Sequence, residues 1–206
     1  MPEIKERPIL FSAPMVRAIL EGRKTVTRRI VKPVRGYEDC SIRRPDKAAA
    51  SHSVWWHGRF ESVGVMQDCP YGKPGDRLWV REAWARIGIA QAPDQEWVVY
   101  RESDNRTDYG GPWKPGIHML RRDSRILLEI TDVRVERLQD ISPDQAFAEG
   151  VNGSMCQQFL ESSPTRFTCR EAEIHGFSGL WESINGADSW DANPWVWVVE
   201  FKQVTP

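Results

Sequence analysis

The sequence predicts an α+β fold, a small mixed β-barrel with a few short flanking helices. Two observations support this prediction. Segments with alternating apolar residues or runs of β-branched residues recur along the whole chain, whereas helical patterns are few and short. A length of 206 residues suits one domain with a sizeable core. We therefore expect a single domain, 1–206, that carries two insertions.

The N-terminal part begins with a predicted strand, 8–11, and a helix. Ser12 is a favourable N-cap, Pro14 suits the first helical turn, and Gly22 marks the end of the helix. β-branched residues and alternation then predict a strand over 25–31.

The middle of the chain contains three further strand patterns, at 58–66, 76–87 and 96–102. Two stretches show no sustained periodicity and are interpreted as irregular insertions into the domain. They cover about 36–57 and about 151–170.

The C-terminal part starts with the longest strand pattern, 124–138, whose apolar alternation breaks phase once, as at a β-bulge or a bend. Ser142 then caps a short helix that ends at Gly150. A second helix is predicted over 173–184. A closing strand follows over 194–204, with its tryptophan and valine residues in the core.

Positive charge is concentrated at the N-terminal end of a nearly neutral chain. The formal net charge is -1, but residues 1–50 carry 12 basic and 6 acidic side chains, while residues 151–206 carry 3 and 7. An anionic partner is therefore expected to approach the N-terminal part of the chain.

The composition predicts a cytoplasmic protein with no membrane segment. The first residues lack the apolar core of a signal peptide, and no apolar run approaches the length of a membrane span. Cys40, His52, His57 and Cys69 are conceivable zinc ligands, but their spacing matches no standard pattern. We therefore predict neither a metal site nor another cofactor.

The most basic stretch is 20–33, which reads LEGRKTVTRRIVKP. In a regular strand Thr27 and Arg29 share one face, and Arg28 points the opposite way. Lys24 meets Thr27 only if it lies in the turn before the strand. Like charges and desolvation lower the pKa of a lysine held in a cleft, so that it can act as a base. A solvated basic strand end explains the same residues.

Glu149 stands at the end of the predicted short helix, just before Gly150. The helix macrodipole disfavours a carboxylate at this end unless a cation pairs with it. An exposed glutamate in a fraying last turn explains the residue equally well. The sequence leaves both interpretations open.

The segment 77–84 combines arginine with tryptophan. Alternation places Trp79 and Arg81 on one face and Glu82 on the other, with Trp84 close behind. A face of this composition can stack bases and hold phosphates. It is equally typical of a barrel exterior covered by a loop.

Four segments together resemble the ASCH proteins of the PUA-like superfamily, in particular the longer versions carried by phages and prophages. They read FSAPMVRAILEGRKTVTRR, CPYGKPGDRLWVREAW, ISPDQAFAEGV and NPWVWVVEFK, in the order that the family shows. The resemblance implies a PUA-like β-barrel with a cleft. This superfamily uses that fold to recognise RNA and modified nucleosides.

One bacterial branch of the group is an amidohydrolase that removes the acetyl group from N4-acetylcytidine. The resemblance implies that its lysine base, threonine nucleophile and glutamate acid correspond to Lys24, Thr27 and Glu149, and its nearby arginine to Arg29. Other relatives have been linked to RNA cleavage, so a ribonuclease is the second enzymatic expectation. This chain is longer than the amidohydrolase branch, so the chemistry transfers less safely than the fold.

A binding module for RNA or a modified nucleoside, without catalysis, is the competing expectation. Its contacts would come from cationic and aromatic side chains that hold phosphates and stack on bases. The predicted binding residues are Arg28, Arg29, Arg81, Glu82, Trp79 and Trp84, together with Lys24. A protein partner that docks on the insertions is a third expectation.

Overall fold

The structure is a computed structural model, and it describes residues 3–37, 40–43, 52–57, 64–89, 92–103, 112–151 and 169–205. Within these ranges the fold is mixed and rich in sheet, with ten strands and three α-helices. The predicted combination of many strands with few helices is confirmed.

The elements are numbered in chain order. The strands are β1 (Glu6–Leu10), β2 (Val26–Ile30), β3 (Ser41–Arg43), β4 (Ser53–His57), β5 (Gly64–Asp68), β6 (Arg77–Arg81), β7 (Trp84–Ile89), β8 (Ala92–Tyr100), β9 (Leu127–Arg137) and β10 (Trp195–Val204). The α-helices are α1 (Ala13–Leu20), α2 (Pro143–Ala148) and α3 (Cys169–Asn185). Short 3-10 turns occupy Gly116–His118, Arg121–Asp123 and Leu138–Asp140.

The central sheet has five strands in the order β1-β6-β9-β10-β2. β1 and β6 run parallel, and the other neighbours are antiparallel. β3, β4 and β5 form a second sheet, while β7 and β8 form a two-stranded ribbon. Among the described strands the central sheet is open, with β1 and β2 at its edges, so these strands form no closed barrel.

β10 is buried on both faces and therefore divides the core. Trp197 and Val199 pack with residues of β1, β6, β9 and α1 in one apolar cluster. Val196 and Val198 point the other way, into a second cluster with residues of α2 and α3. The predicted core role of the closing strand is confirmed.

The predicted break of phase in the longest strand is a β-bulge in β9. The register between β9 and β10 shifts at this point and leaves Thr131 without an opposite residue. Thr131 is exposed, whereas Ile130 and Val133 are buried. The extra residue allows the apolar side chains before and after it to face the same core.

The end of α1 turns the chain towards the interior. Gly22 has a φ of 73°, in the left-handed region that glycine adopts without steric cost. The Gly22 N–H donates to Ile19 O and the Arg23 N–H donates to Ala18 O, which together form a Schellman motif. The Lys24 N–H also donates to Ala18 O. Lys24 therefore lies in a tight turn before β2.

The two predicted helix starts differ in how they are capped. Ser142 and Gln145 form a complete capping box at the start of α2, as each side chain accepts from the other residue's backbone N–H. Ser12 occupies the N-cap position of α1, but its side chain makes no capping hydrogen bond. Gly150 follows α2 with a φ of 93°, as expected for a helix stop.

The stretch 36–57 is not wholly irregular, which corrects the sequence interpretation. It contributes β3 and β4, and β4 buries Val54 and Trp56. These strands have only three and five residues, too few for the alternation to be recognised in a window of ordinary length.

The pattern over 76–87 is also not one strand. It divides after Arg81, where the chain leaves the central sheet as β6 and enters the ribbon as β7. The predicted strand at 58–66 is seen from Gly64 onward, as β5. The first part of that predicted strand, 58–63, lies outside the described residues. Most of the second predicted insertion, 152–168, also lies outside them.

The substitution Gly150→Ala is expected to destabilise the fold by about 2–4 kcal/mol, because it combines a strained backbone with an overpacked contact. A Cβ atom at Gly150 would lie 2.9 Å from Ala18 Cβ and 3.3 Å from Lys24 Cβ. Gly186→Ala is the matched control, because Gly186 also has a positive φ but has no atom within 4 Å of its added Cβ. Urea unfolding of both variants measures the difference, and equal losses of stability would contradict the close contact.

Candidate functional site

Lys24 lies at the centre of a buried polar cluster. The residue is only 2% exposed. Its Nζ donates to Val26 O at 2.8 Å, to Glu149 O at 2.8 Å and to Glu149 Oε2 at 2.6 Å. The Nζ also lies 5.6 Å from the centre of the Phe11 ring. Every hydrogen of the ammonium group therefore has an acceptor.

Glu149 is positioned by the C-terminus of α2. It is the C-cap residue of that helix, and it is buried rather than exposed in a fraying turn. The Thr25 N–H donates to Ala148 O at 2.9 Å and joins the end of α2 to the start of β2. The negative end of the helix macrodipole disfavours a carboxylate at this position. The Lys24 ammonium group offsets this effect, because it donates both to the Glu149 carboxylate and to the Glu149 backbone carbonyl at the end of the helix.

Arg28 is the second cation that binds the Glu149 carboxylate. Its Nη1 lies 3.3 Å from Glu149 Oε1, and its Nη2 donates to Gln145 Oε1 at 2.7 Å. Glu136, on β9, lies 3.5 Å from Nη2. Burial lowers the pKa of Arg28, and Glu149 and Glu136 oppose that change. The charge of Arg28 is therefore largely satisfied within the protein.

Burial affects the protonation of Lys24. It lowers the pKa of Lys24, and the carboxylate of Glu149 opposes that change. A neutral amine would keep two N–H donors for the carbonyls of Val26 and Glu149. Nζ and Oε2 lie 2.6 Å apart, within direct hydrogen-bond distance.

A cleft of about 240 Å³ adjoins this cluster. Its cationic and hydroxyl side chains come mainly from β2 and the residues after it, and most of its apolar side chains come from α3. Its lining residues are Met15, Thr27, Arg28, Arg29, Ile30, Lys32, Tyr71, Glu149, Phe177, Leu180, Trp181, Ile184 and Asn185. Of the three residues with predicted catalytic roles, Thr27 and Glu149 border the cleft, and Lys24 lies behind Glu149.

The cleft follows the free edge of β2. Thr27 and Arg29 face the cluster that contains α1, whereas Arg28 and Ile30 face the helices α2 and α3. A cleft bordered by residues of both faces must run along the edge of the sheet. Arg28 and Ile30 also direct their backbone N–H and C=O groups away from β10, because Thr25 and Val31 are hydrogen-bonded to that strand.

Arg29 borders the cleft as a cation held in place by uncharged groups. Its Nη2 donates to Leu10 O at 2.8 Å, and its guanidinium lies 5.4 Å from the centre of the Phe11 ring. Its buried Nε has no hydrogen-bond partner among the described residues. The position of Arg29 is therefore fixed without a carboxylate.

Trp79 and Trp84 do not border this cleft. Both are buried, in an apolar cluster with Met119 and Leu127. The guanidinium of Arg86 and the amine of Lys114 lie over the Trp84 ring, at 5.6 and 5.3 Å from its centre. A base cannot stack on Trp84 without displacing these cations.

Arg81 and Glu82 are likewise separate from the cleft. The Arg81 guanidinium stacks on Trp79 at 4.7 Å, and Glu82 makes a bidentate ion pair with Arg125 at 2.9 and 2.8 Å. β6 and β2 are separated by two strands in the central sheet. The structure thus does not bring the predicted arginine and tryptophan face together with the basic stretch of β2.

Sequence reasoning missed the apolar wall of the cleft, which comes from α3. Its side chains include Leu180, Trp181 and Ile184, and Ile184 is 49% exposed in the described structure. Lys32 and Tyr71 were also missed. The apolar pattern of α3 predicted a helix, but only the fold shows that this helix faces β2.

The described residues contain neither a metal-binding group nor a membrane-spanning helix. These residues contain no group of three or more His, Cys, Asp or Glu side chains that could hold a metal ion. Burial raises the pKa of Cys69 to about 11, which keeps its thiol protonated. None of the described helices has the length and apolar character needed to cross a membrane.

No protein-family model, curated protein or solved structure matches this chain. The resemblance to the ASCH proteins therefore rests on the four sequence segments alone. A function has to be argued from the geometry of the cleft and of the Lys24 cluster.

The substitution Glu149→Gln is expected to destabilise the protein by about 3–5 kcal/mol, because it leaves Lys24 and Arg28 buried without their shared carboxylate. Urea unfolding measures the change. Glu21→Gln is the control, since Glu21 is exposed and its ion pair with Arg23 is expected to contribute less than about 1 kcal/mol. Adding Lys24→Met to Glu149→Gln should restore part of the loss. A stability of Glu149→Gln equal to that of the wild type would contradict a charged cluster.

Proposed function

We propose that this chain binds a nucleoside, either free or within RNA, in the cleft along β2. The observation that carries the proposal is the division of the cleft into a polar side and an apolar side. The polar side presents Thr27 and Arg29, and the apolar side presents Leu180 and Ile184. A nucleoside has the same division, since its base has apolar faces and a hydrogen-bonding edge.

The free edge of β2 supports recognition of a base in particular. The outward N–H and C=O of Arg28 supply one donor and one acceptor at the border of the cleft. An adjacent donor and acceptor suit the edge of a base such as cytosine, which carries both kinds of group. We also propose that the fold is of the PUA-like type, which the mixed central sheet with its flanking helices supports.

The substitution Ile184→Ser is expected to weaken nucleoside binding about three- to tenfold, because it removes apolar surface that the base would cover. Isothermal titration with cytidine and with N4-acetylcytidine measures the effect. Ile117→Ser is the matched control, because Ile117 is 56% exposed, similar to Ile184, and does not border the cleft. Binding that is equal in both variants would reject the cleft as the binding site.

A second candidate function, hydrolysis of an N-acylated base, is favoured by the contact between Lys24 and Glu149. Proton transfer from the ammonium to the carboxylate gives a neutral amine and a carboxylic acid, which are a base and an acid on adjacent groups. The base would accept the proton of Thr27 while the Thr27 Oγ1 attacks the acyl carbon. The acid would protonate the leaving nitrogen as the C–N bond breaks.

Hydrolysis of the acyl-threonine would restore the starting state. Water attacks the acyl carbon and gives its proton to Glu149, while Lys24 returns a proton to the Thr27 oxygen. In the first step Lys24 must exchange one of its three present contacts for the Thr27 hydroxyl, because no hydrogen bond joins these two residues in the described structure. Catalysis therefore requires a local rearrangement of the Lys24 side chain.

The substitution Thr27→Val is expected to reduce release of acetate from N4-acetylcytidine by at least about 1,000-fold, because it removes the nucleophile and preserves the shape of the side chain. Chromatographic detection of cytidine measures the reaction. Thr25→Val is the control, because Thr25 precedes the same strand but is exposed and does not border the cleft. Failure of the wild type to form cytidine would reject hydrolysis and leave nucleoside binding to stand.

A further inference from the structure

The charges that border the cleft are unequally compensated. Lys24 and Arg28 both contact the Glu149 carboxylate, and Glu136 lies within 3.5 Å of Arg28. Glu136 also pairs with Arg134 at 2.7 Å, so Lys24 and Arg28 belong to an ion-pair network that supplies each of them with a carboxylate. The remaining charged residues at the border are Arg29 and Lys32.

Arg29 and Lys32 have no carboxylate partner among the described residues. Arg29 is nevertheless oriented, because the Leu10 carbonyl and the Phe11 ring hold its guanidinium. The Nε atoms of both Arg28 and Arg29 are buried without a partner among the described residues, so the two arginines differ in their carboxylate contacts and not in this donor. Lys32 lies just beyond the end of β2 and is exposed. The border of the cleft thus carries two positive charges in excess.

Hydroxyl donors accompany these cations. Tyr71 borders the cleft, and burial raises the pKa of its phenol, which keeps the O–H as a donor at neutral pH. Thr27 shares the face of β2 that carries Arg29. Guanidinium, ammonium and hydroxyl groups at one border are the donors that bind phosphate oxygens in proteins.

We infer that Arg29 and Lys32 form a phosphate subsite at the β2 border of the cleft, and that the ligand is a nucleotide rather than an uncharged nucleoside. The inference rests on the proposed function for the base, and it adds the chemical class of the ligand. The phosphate is either the terminal group of a mononucleotide or an internal phosphodiester of RNA. Both sources present the same anionic oxygens to Arg29 and Lys32.

The test compares the affinities of the wild-type protein for cytidine and for cytidine 5′-monophosphate. The monophosphate is expected to bind about tenfold more tightly at low salt, and the advantage should shrink as salt is added. Lys32→Gln should remove most of this advantage and leave the affinity for cytidine within about twofold, and Arg29→Gln should also lower the affinity for the monophosphate. Lys32→Gln is the safer variant for folding, because Lys32 is exposed.

Lys202→Gln is the matched control, because it removes one exposed lysine charge outside the cleft and should retain the full advantage. A cytidine trinucleotide without terminal phosphates identifies the source of the phosphate. If its binding depends on Lys32, the subsite holds an internal phosphodiester; if only the mononucleotide depends on Lys32, the subsite holds a terminal phosphate.

Equal affinities for cytidine and its monophosphate would overturn the phosphate subsite and leave nucleoside binding intact. Ribose 5-phosphate, which has no base, tests whether the base contributes to binding. If it binds with dependence on Lys32 and as tightly as the nucleotide, the subsite stands and recognition of the base is overturned.

Discussion

The buried contact between Lys24 and Glu149 joins the end of α2 to the turn between α1 and β2, across 125 positions of the chain. Lys24 follows the Schellman turn of α1, Val26 is the first residue of β2, and Glu149 caps the C-terminus of α2. The Lys24 ammonium group donates hydrogen bonds to both Val26 and Glu149. Removing the Glu149 carboxylate would leave Lys24 charged in the core without an anionic partner among the described residues, which is far costlier than losing a surface ion pair. The relative positions of α1, α2 and the edge of the sheet therefore depend on this contact.

The edge position of β2 explains why a cleft exists next to this cluster. A strand inside the sheet has neighbours on both sides, and residues of its opposite faces are then separated by backbone. β2 pairs only with β10 among the described strands, so Arg28 and Arg29 can border the same space from opposite faces. α3 covers the other side of that space and keeps the edge from pairing with another strand.

The two arginines of β2 differ in function because their surroundings differ. Arg28 faces α2, where Glu149 and Gln145 use its donors, so it stabilises the fold as much as it borders the cleft. Arg29 faces the α1 side, where the described residues that hold it supply a carbonyl and an aromatic ring and no carboxylate. A charge that is oriented but not neutralised is available to a ligand, whereas a neutralised charge is not.

Several local features could be predicted from the sequence: the end of α1 at Gly22, the capped start of α2 at Ser142, the bulge in β9 and the buried closing strand. These signals depend on neighbouring residues and on short-range sterics, so they can be read from a few positions. The resemblance further pointed to Lys24, Thr27 and Glu149. Three further features became visible only in the folded chain. Lys24 and Glu149 meet across 125 positions, Trp79 and Trp84 are buried elsewhere, and α3 lines the cleft. Long-range pairing depends on strand order and on which face of each element is buried, and no local pattern encodes either.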